Sequence, residues 1–324
     1  MLLEARSVAG VSESFDITVV IPTFNAGSLL KEVLCSVENQ ETSLRFEVVA
    51  IDSGSTDETI DILRAHDVRI IQIPQATFNH GATRNDAALR HCETPLVAFL
   101  SQDATPAGNH WLRDLARTME DPTIVGCFAT QRPRPNTHPF QRINAARHHT
   151  LETADTISLP LTVAEFQGLA PASRLKRLAF DNVSSLVRRS VLCEHPFPNC
   201  DFGEDMRWAR EVLLSGGALA KSGTAQVLHS HGVNTLEFRD RPRRTHRLWR
   251  ELTDYAPYPH LGWWLRRTLG QMLRLTWAAL SDASSSWPRR LVMAATAPCW
   301  GWIQMRANRR GSAEGCYDAP RAFE

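Results

Sequence analysis

Pro95-Leu96-Val97-Ala98-Phe99-Leu100-Ser101-Gln102-Asp103-Ala104 reads as an apolar strand that ends in one carboxylate. Leu96 to Leu100 carries no charge, as expected of a strand covered on both faces. Asp103 stands just past its end, and in open α/β sheets ligands bind outside the carboxyl ends of the strands. Working outward, the preceding residues repeat one unit. Ile17 to Ile21, Phe46 to Ile51 and Val68 to Ile73 read as strands, with helices at Ser28 to Asn39, Thr56 to Ala65 and Ala82 to His91. This alternation predicts a parallel sheet with crossover helices, and Ser55 or Thr56 is the expected cap of the second helix.

Beyond Asp103, Trp111 to Met119 predicts a helix and Ile124 to Thr130 a strand. Pro133, Pro135 and Pro139 then interrupt regular structure, and the residues to about Leu178 read as an insertion of undefined form. Val183 to Val187 predicts a strand returning to the sheet. Glu204 to Leu214 has helical spacing through Met206, Trp208, Ala209, Val212 and Leu213, and Gly216-Gly217 stops it. The adjacent acids Glu204 and Asp205 therefore fall on the first turn of a helix.

With 324 residues the chain can bury a sizeable core, and its formal net charge of +1 gives no signal for nucleic acid or another polyanion. The charge is unevenly distributed. Fourteen arginines lie between Arg239 and Arg310, against the four acids Asp240, Glu251, Asp254 and Asp282, and seven of the nine tryptophans share this region. Arginine with tryptophan favours a membrane interface, so peripheral membrane association is expected of the tail. Arg266, Arg267 and Arg274 break the apolar stretch from Leu261 to Leu280, and Leu291 to Met305 is short and holds Pro298, so lying on a membrane is favoured over spanning it. The seven cysteines are scattered without a C-x-x-C pair, which fits a reducing cytoplasm. Glu4 and Arg6, without an unbroken apolar run, make a secretory signal unexpected. The division expected is a tail over 1–15, an α/β domain over 16–238 and a basic, Trp-rich helical extension over 239–324.

Pro22-Thr23-Phe24-Asn25 follows the first strand and Asp52-Ser53-Gly54-Ser55-Thr56-Asp57 the second. The first turn could grip a base or ribose, and Asp52 could accept from a pyrimidine imide N–H with a helix N-terminus behind it. Ser, Thr and Asp are equally the residues that cap helices. Capping is the better reading of Asp57, and a ligand role the better reading of Asp52, which precedes the cap. Neither G-x-G-x-x-G after the first strand nor G-x-x-x-x-G-K-[ST] is present, which removes the main support for a dinucleotide-binding dehydrogenase or a P-loop NTPase.

Val19-Val20-Ile21-Pro22-Thr23-Phe24-Asn25, Asp52 to Asp57, Phe78-Asn79-His80-Gly81-Ala82-Thr83-Arg84-Asn85, Ser101-Gln102-Asp103-Ala104 and Gly203-Glu204-Asp205 with Trp208 together resemble the family 2 glycosyltransferases. The third and fourth segments look like its rhamnosyltransferase branch. The resemblance spans about Asp16 to Arg239. It implies a GT-A fold, that is, a Rossmann-like mixed, mostly parallel sheet flanked by helices, followed here by a helical C-terminal extension. It also implies inverting transfer from a nucleoside-diphosphate sugar with Mg²⁺ or Mn²⁺.

On that resemblance Asp52 recognises the base, Pro22, Thr23 and Asn25 sit near the nucleoside, and Gln102 belongs to the donor side. Asn79, His80, Gly81 and Arg84 would line the donor's phosphate and sugar, where a guanidinium fork suits phosphate oxygens. Asp103 would bind the metal. Ser101 departs from the family's D-x-D, so a second protein ligand is expected from His229 or His231, which alternation puts on one face of a strand. Asp205 is the expected base, with Glu204 orienting the acceptor or the base and able to exchange roles with it. Trp208 would stack on an acceptor sugar or join the core, and Asn182, in Asp181 to Ser185, would shape the acceptor side.

The activity implied is transfer of a sugar, L-rhamnose from a dTDP-linked donor, onto a polysaccharide or lipid-linked acceptor at the cytoplasmic face of the membrane. Two alternatives stand beside it. A sugar-nucleotide pyrophosphorylase would need a Gly-rich loop with Arg and Lys after Ile21, and none follows. A catalytically degenerate module that only holds nucleotide sugar draws its support from Ser101.

Overall fold

The computed structural model describes residues 14–145, 154–258, 260–318 and 320, so nearly all of the expected tail over 1–15 lies outside the described residues. The first units are β1 (Ile17–Thr23), α1 (Leu29–Glu38), β2 (Phe46–Asp52), α2 (Thr59–Ala65), β3 (Arg69–Gln72), α3 (His80–Asp86) and β4 (Leu96–Leu100). A π-helical turn at Ala87–His91 continues α3. There follow β5 (Thr105–Pro106), α4 (Trp111–Thr118), β6 (Ile124–Arg132), α5 (Pro139–Ala145), β7 (Thr156–Ser158), α6 (Val163–Gly168), α7 (Pro171–Arg177), β8 (Ser184–Arg188), α8 (Arg189–Glu194), α9 (Glu204–Leu214) and β9 (Ala218–Leu228). After a second π-helical turn at Leu236–Asp240 come α10 (Arg241–Thr253), α11 (Leu261–Ser281) and α12 (Trp287–Glu314). The insertion of undefined form thus contains α5, β7, α6 and α7.

All nine strands form one sheet in the order β3-β2-β1-β4-β8-β6-β9-β5, with β7 pairing β9. The four strands of the first hundred residues pair in parallel, as their alternation with helices requires. Beyond them β8 runs antiparallel between β4 and β6, β6 and β9 are parallel, and β5 and β7 run antiparallel to β9. The sheet is therefore parallel through its first half and mixed beyond it, where β6 and β9 form the parallel pair.

Period-two alternation divides the apolar side chains between the two faces. Ile17, Val19 and Ile21 of β1 pack with Leu30, Val33 and Leu115 on one face. Val20, with Val97 and Phe99 of β4, packs with Phe197, Trp208 and Leu213 on the other. Leu248 and Leu252 of α10 join this second core. The approach depends on Gly203, whose φ of 75° is left-handed and whose Cβ, if present, would collide with Leu248. A smaller cluster of Phe140, Phe238, Leu275, Ala279, Met293 and Ala297 seats α11 and α12 on α5.

α2 begins three residues later than its periodicity predicts, because the expected caps serve the neighbouring loops. Asp57 accepts from the Thr59 N–H and the Gly27 N–H, each at 3.0 Å. Ser55 donates to Asp52, and the Thr56 N–H donates to Asn25. The loops after β1 and β2 are thereby tied together.

Candidate active site

β4 carries the chain to Asp103, and Arg134 fixes the turn that follows by donating to the Asp103 carbonyl at 3.0 Å and to Thr105. His229 and His231 lie just past the end of β9 rather than within it. Their rings meet edge to face with centroids 4.6 Å apart. One ligand atom from each of Asp103, His229 and His231 falls within 4.8 Å of the others.

The tautomer of His229 follows from its neighbours. Gln131, at the end of β6, donates its amide N–H to Asp181, so its oxygen faces His229 and accepts from Nδ1 at 2.8 Å. Nδ1 then carries the proton, and Nε2 presents a lone pair toward Asp103 Oδ2, 3.4 Å away. Two acceptors facing each other are held together by a proton or a cation between them. A carboxylate and an imidazole whose second nitrogen is hydrogen-bonded fit a divalent cation, and they favour Mn²⁺ over Mg²⁺. Burial pushes the Asp103 carboxyl up, but a proton on His229 Nε2, donated to Asp103, outweighs it and holds the carboxyl below its usual value. His231 is pushed down to about 3 by burial and by Arg241, which also donates to its Nε2. Its imidazole is therefore neutral and able to coordinate, but Arg241 already occupies one nitrogen. His229 is the better placed of the two.

Gln131, Asp181, His229 and His231 line a cleft of about 610 Å³ between the sheet end and α10–α12. Trp249, Tyr255, Tyr258 and Trp263 supply its aromatic wall. Asp205, at the first turn of α9, is raised well above the ordinary aspartate value of 3.8, first by burial and then by the charges of Glu204 and Asp181. Asp181 links the two groups: its charge raises Asp205, and it orients Gln131, and hence His229. Gln131 carries no role in the motif reading, and Asp181 enters it only as the start of the segment expected to shape the acceptor side. Only the pairing of β6 with β9 brings Gln131 to His229.

Arg84 does not face the cleft. It is 5% exposed, and its Nη1 donates to Glu204 at 2.9 Å and to the His80 carbonyl at 3.1 Å. The expected phosphate ligand is thus the counter-ion of Glu204, because α3 points this position into the start of α9. The rest of the motif clasps the same segment. Asn79 caps α3 by accepting from Gly81 and Ala82 and donates to the Cys200 carbonyl at 3.0 Å. Asn85 pairs twice with the Phe197 backbone. A Cβ on Gly81 would collide with the Pro198 carbonyl oxygen. Only His80 remains exposed, beside Arg207, Arg244 and Arg247 at a second cleft.

The expected donor residues converge at the ends of β1, β2 and β4, mostly as one another's partners. Gln102 makes a two-way pairing with the Phe24 backbone, at 2.7 and 3.1 Å. Asn25, at a left-handed φ of 43°, accepts from Thr56. Asp52 is fully buried; its carboxylate accepts from Thr23, Gly54 and twice from Ser55, which fills its four lone-pair positions. In this geometry the Asp52 oxygens are engaged by its own turn and by Thr23. Thr23 is likewise buried against Asp52 and carries its neighbours rather than a ligand, while Pro22 is half-buried beside it.

Trp208 is fully buried between Phe180 and Phe197, and its indole N–H donates to the His195 carbonyl at 2.8 Å. The expected acceptor stacking is therefore replaced by a core role, since one helical turn past Asp205 points inward. Trp208→Ala is expected to lower stability by about 3–5 kcal/mol and leave the acceptor KM of the folded fraction unchanged. Thermal unfolding with steady-state kinetics checks this, and a raised KM at unchanged stability would contradict it. Asn182 is also buried, with its oxygen accepting from Ser185 and its amide nitrogen lacking a protein partner.

A sheet whose strand ends carry a carboxylate–histidine cluster and capped turns, with an acidic pair at the start of a helix, is the layout of a GT-A nucleotide-sugar transferase. A family model described as Glycosyl transferase family 2 matches residues 18–172. Over 224 residues the chain is 32% identical to the O-antigen chain rhamnosyltransferase RfbN of Salmonella typhimurium, covering 68% of each chain. It is 29% identical over 216 residues to the O-antigen chain rhamnosyltransferase WbaN of Salmonella anatum, covering 66% of each. Its fold is similar to that of a mannosyltransferase from Pyrobaculum calidifontis in complex with GDP-Man and Mn²⁺, with a TM-score of 0.56 and 20% identity, over 93% of this chain and 87% of that one. The chain belongs to glycosyl transferase family 2 and is a glycosyltransferase.

Proposed function

We propose that the chain moves L-rhamnose, with inversion, from dTDP-rhamnose to a hydroxyl of a glycan or lipid-linked acceptor at the inner face of the cell membrane. The likeness to two O-antigen chain rhamnosyltransferases of Salmonella supports the sugar and a glycan acceptor. The observation that carries the chemistry is the Asp103–His229–His231 cluster, whose histidines line the cleft together with Asp181, the residue whose charge acts on Asp205.

In this reading Asp205 accepts the proton of the acceptor hydroxyl as that oxygen bonds to the anomeric carbon and the bond from this carbon to the dTDP oxygen breaks. Its raised proton affinity suits a base that must take a proton and then release it. Glu204, paired with Arg84, holds the first turn of α9 so that Asp205 keeps its place. Asp103 and His229, with His231, would hold Mn²⁺ or Mg²⁺ near the departing diphosphate. Such a cation, when bound, offsets the charge that develops there. The loops after β1, β2 and β4, with Asn25 and Gln102 at their rim, form the nucleoside side. The aromatic wall from Trp249 to Trp263 and the segment around Asn182 form the acceptor side, with residues 239–324 as the helical part of the acceptor and membrane side.

The test is release of dTDP from dTDP-rhamnose by purified protein with Mn²⁺ or Mg²⁺ and an acceptor extract. Turnover is expected, and excess chelator is expected to abolish it. An unchanged rate in chelator removes Asp103 and the histidines from the metal role. Nucleotide binding without turnover of any donor tried supports the binding-module reading instead.

A further inference from the structure

Ten of the fifteen exposed large hydrophobic residues among the described residues fall between Leu261 and Trp302. On α11, Leu265, Leu269, Leu273 and Trp277 recur every four residues and are 49, 59, 62 and 70% exposed. On α12, Trp287, Leu291, Val292 and Trp302 are 60, 48, 65 and 41% exposed. The opposite side of α11 is already used: Trp264, Thr268, Gln271, Leu275 and Ala279 are buried. The two helices lie side by side, with the Trp264 indole donating to the Met305 carbonyl and Gln271 to Gln304. The outward apolar face is therefore surplus to folding, and it is larger than scattered surface leucines would make.

The charge on the same two helices says what the face suits. α11 and α12 together hold eight arginines and a single acid, Glu314, which is paired with Arg243 and Arg310. Two copies meeting through this face would oppose arginine to arginine. A phosphate-rich surface would be complementary. No described helix is long and apolar enough to cross a membrane.

We propose that the α11–α12 hairpin docks in the plane of an anionic lipid bilayer. Its outward leucines and tryptophans enter the boundary between headgroups and acyl chains, and its arginines lie on lipid phosphates. Trp263, 52% exposed with Arg267 stacked on it at 4.9 Å, belongs to both this hairpin and the wall of the cleft. Docking therefore brings that side of the cleft to the lipid surface. The proposal rests on the hairpin alone and holds whatever sugar is transferred.

The full chain is floated on a density gradient with vesicles of phosphatidylcholine alone or with about one third phosphatidylglycerol, at low and high salt. Co-flotation is expected with the anionic vesicles and should weaken with salt. Leu269→Glu with Leu273→Glu should lower partitioning at least about tenfold at an unchanged Tm, since both side chains are outside the core. Arg266→Gln with Arg289→Gln should weaken binding to anionic vesicles alone. The proposal is overturned if wild type stays at the bottom with every vesicle, if the Leu269/Leu273 variant floats as well as wild type, or if light scattering finds a dimer that this variant dissociates. Donor turnover is measured on the same samples, so loss of flotation and loss of activity are read separately.

Discussion

Asp205→Asn is expected to lower kcat by about 10²–10⁴-fold, the contribution typical of a positioned general base, while nucleotide binding and the fold persist. The side chain keeps its shape and loses only the lone pair that takes the acceptor proton. Burial, Glu204 and Asp181 all raise its proton affinity. The acid limb of kcat/KM should therefore lie above the usual aspartate value and vanish in the variant. Stability should move the other way. A carboxyl whose pKa is raised by folding opposes folding above its unfolded value, where it must ionise. The amide should thus raise Tm at neutral pH, and the difference should close as the pH falls below the unfolded value, where both states are protonated. Activity retained within tenfold, or a lowered Tm at neutral pH, would remove Asp205 from this role.

Glu204→Gln is expected to destabilise the fold by about 3–5 kcal/mol, the usual cost of breaking a buried ion pair by removing one partner. Arg84 would be left 5% exposed, its Nε already without a partner and its charge uncompensated. Replacing both members, Arg84→Met with Glu204→Leu, should cost less than either single change, which a double-mutant cycle in urea measures. Glu204→Gln also removes a neighbouring negative charge from Asp205, so the remaining activity should show its acid limb at lower pH. If Glu204→Gln unfolds at the wild-type urea concentration, the pair is solvated and the account of α9 is wrong.

The strand–helix alternation up to Leu100 was legible because each element is local and its period is set by burial. The later strands were harder. β8 reads as a strand, but nothing within Ser184–Arg188 says that it pairs antiparallel to β4. Asp103 stood out because it is a carboxylate closing an apolar strand, whereas Asp205 and His229 stood out only through the resemblance to the family. What they touch was not legible. Arg84 and Glu204 are separated by 120 residues, and a motif that suits phosphate is equally a clasp when the fold supplies a carboxylate. Asp52 shows the same ambiguity, since a carboxylate after a strand can receive a ligand or close its own turn. Gln131 gave no signal of its own. Its role exists only because Asp181 turns its amide.

The seat of Leu248 against Gly203 has a consequence for anyone who would exchange parts among such enzymes. Residues 239–324 look detachable, yet the first helix of that stretch is mortised into the floor beneath Glu204 and Asp205. A chimera joined at residue 238 would carry a foreign helix against the first turn of α9, whereas one joined after Asp254 would keep that seat and exchange Tyr255, Tyr258 and Trp263 of the cleft wall together with the hairpin. The support of α9 therefore reaches one helix beyond the change in composition.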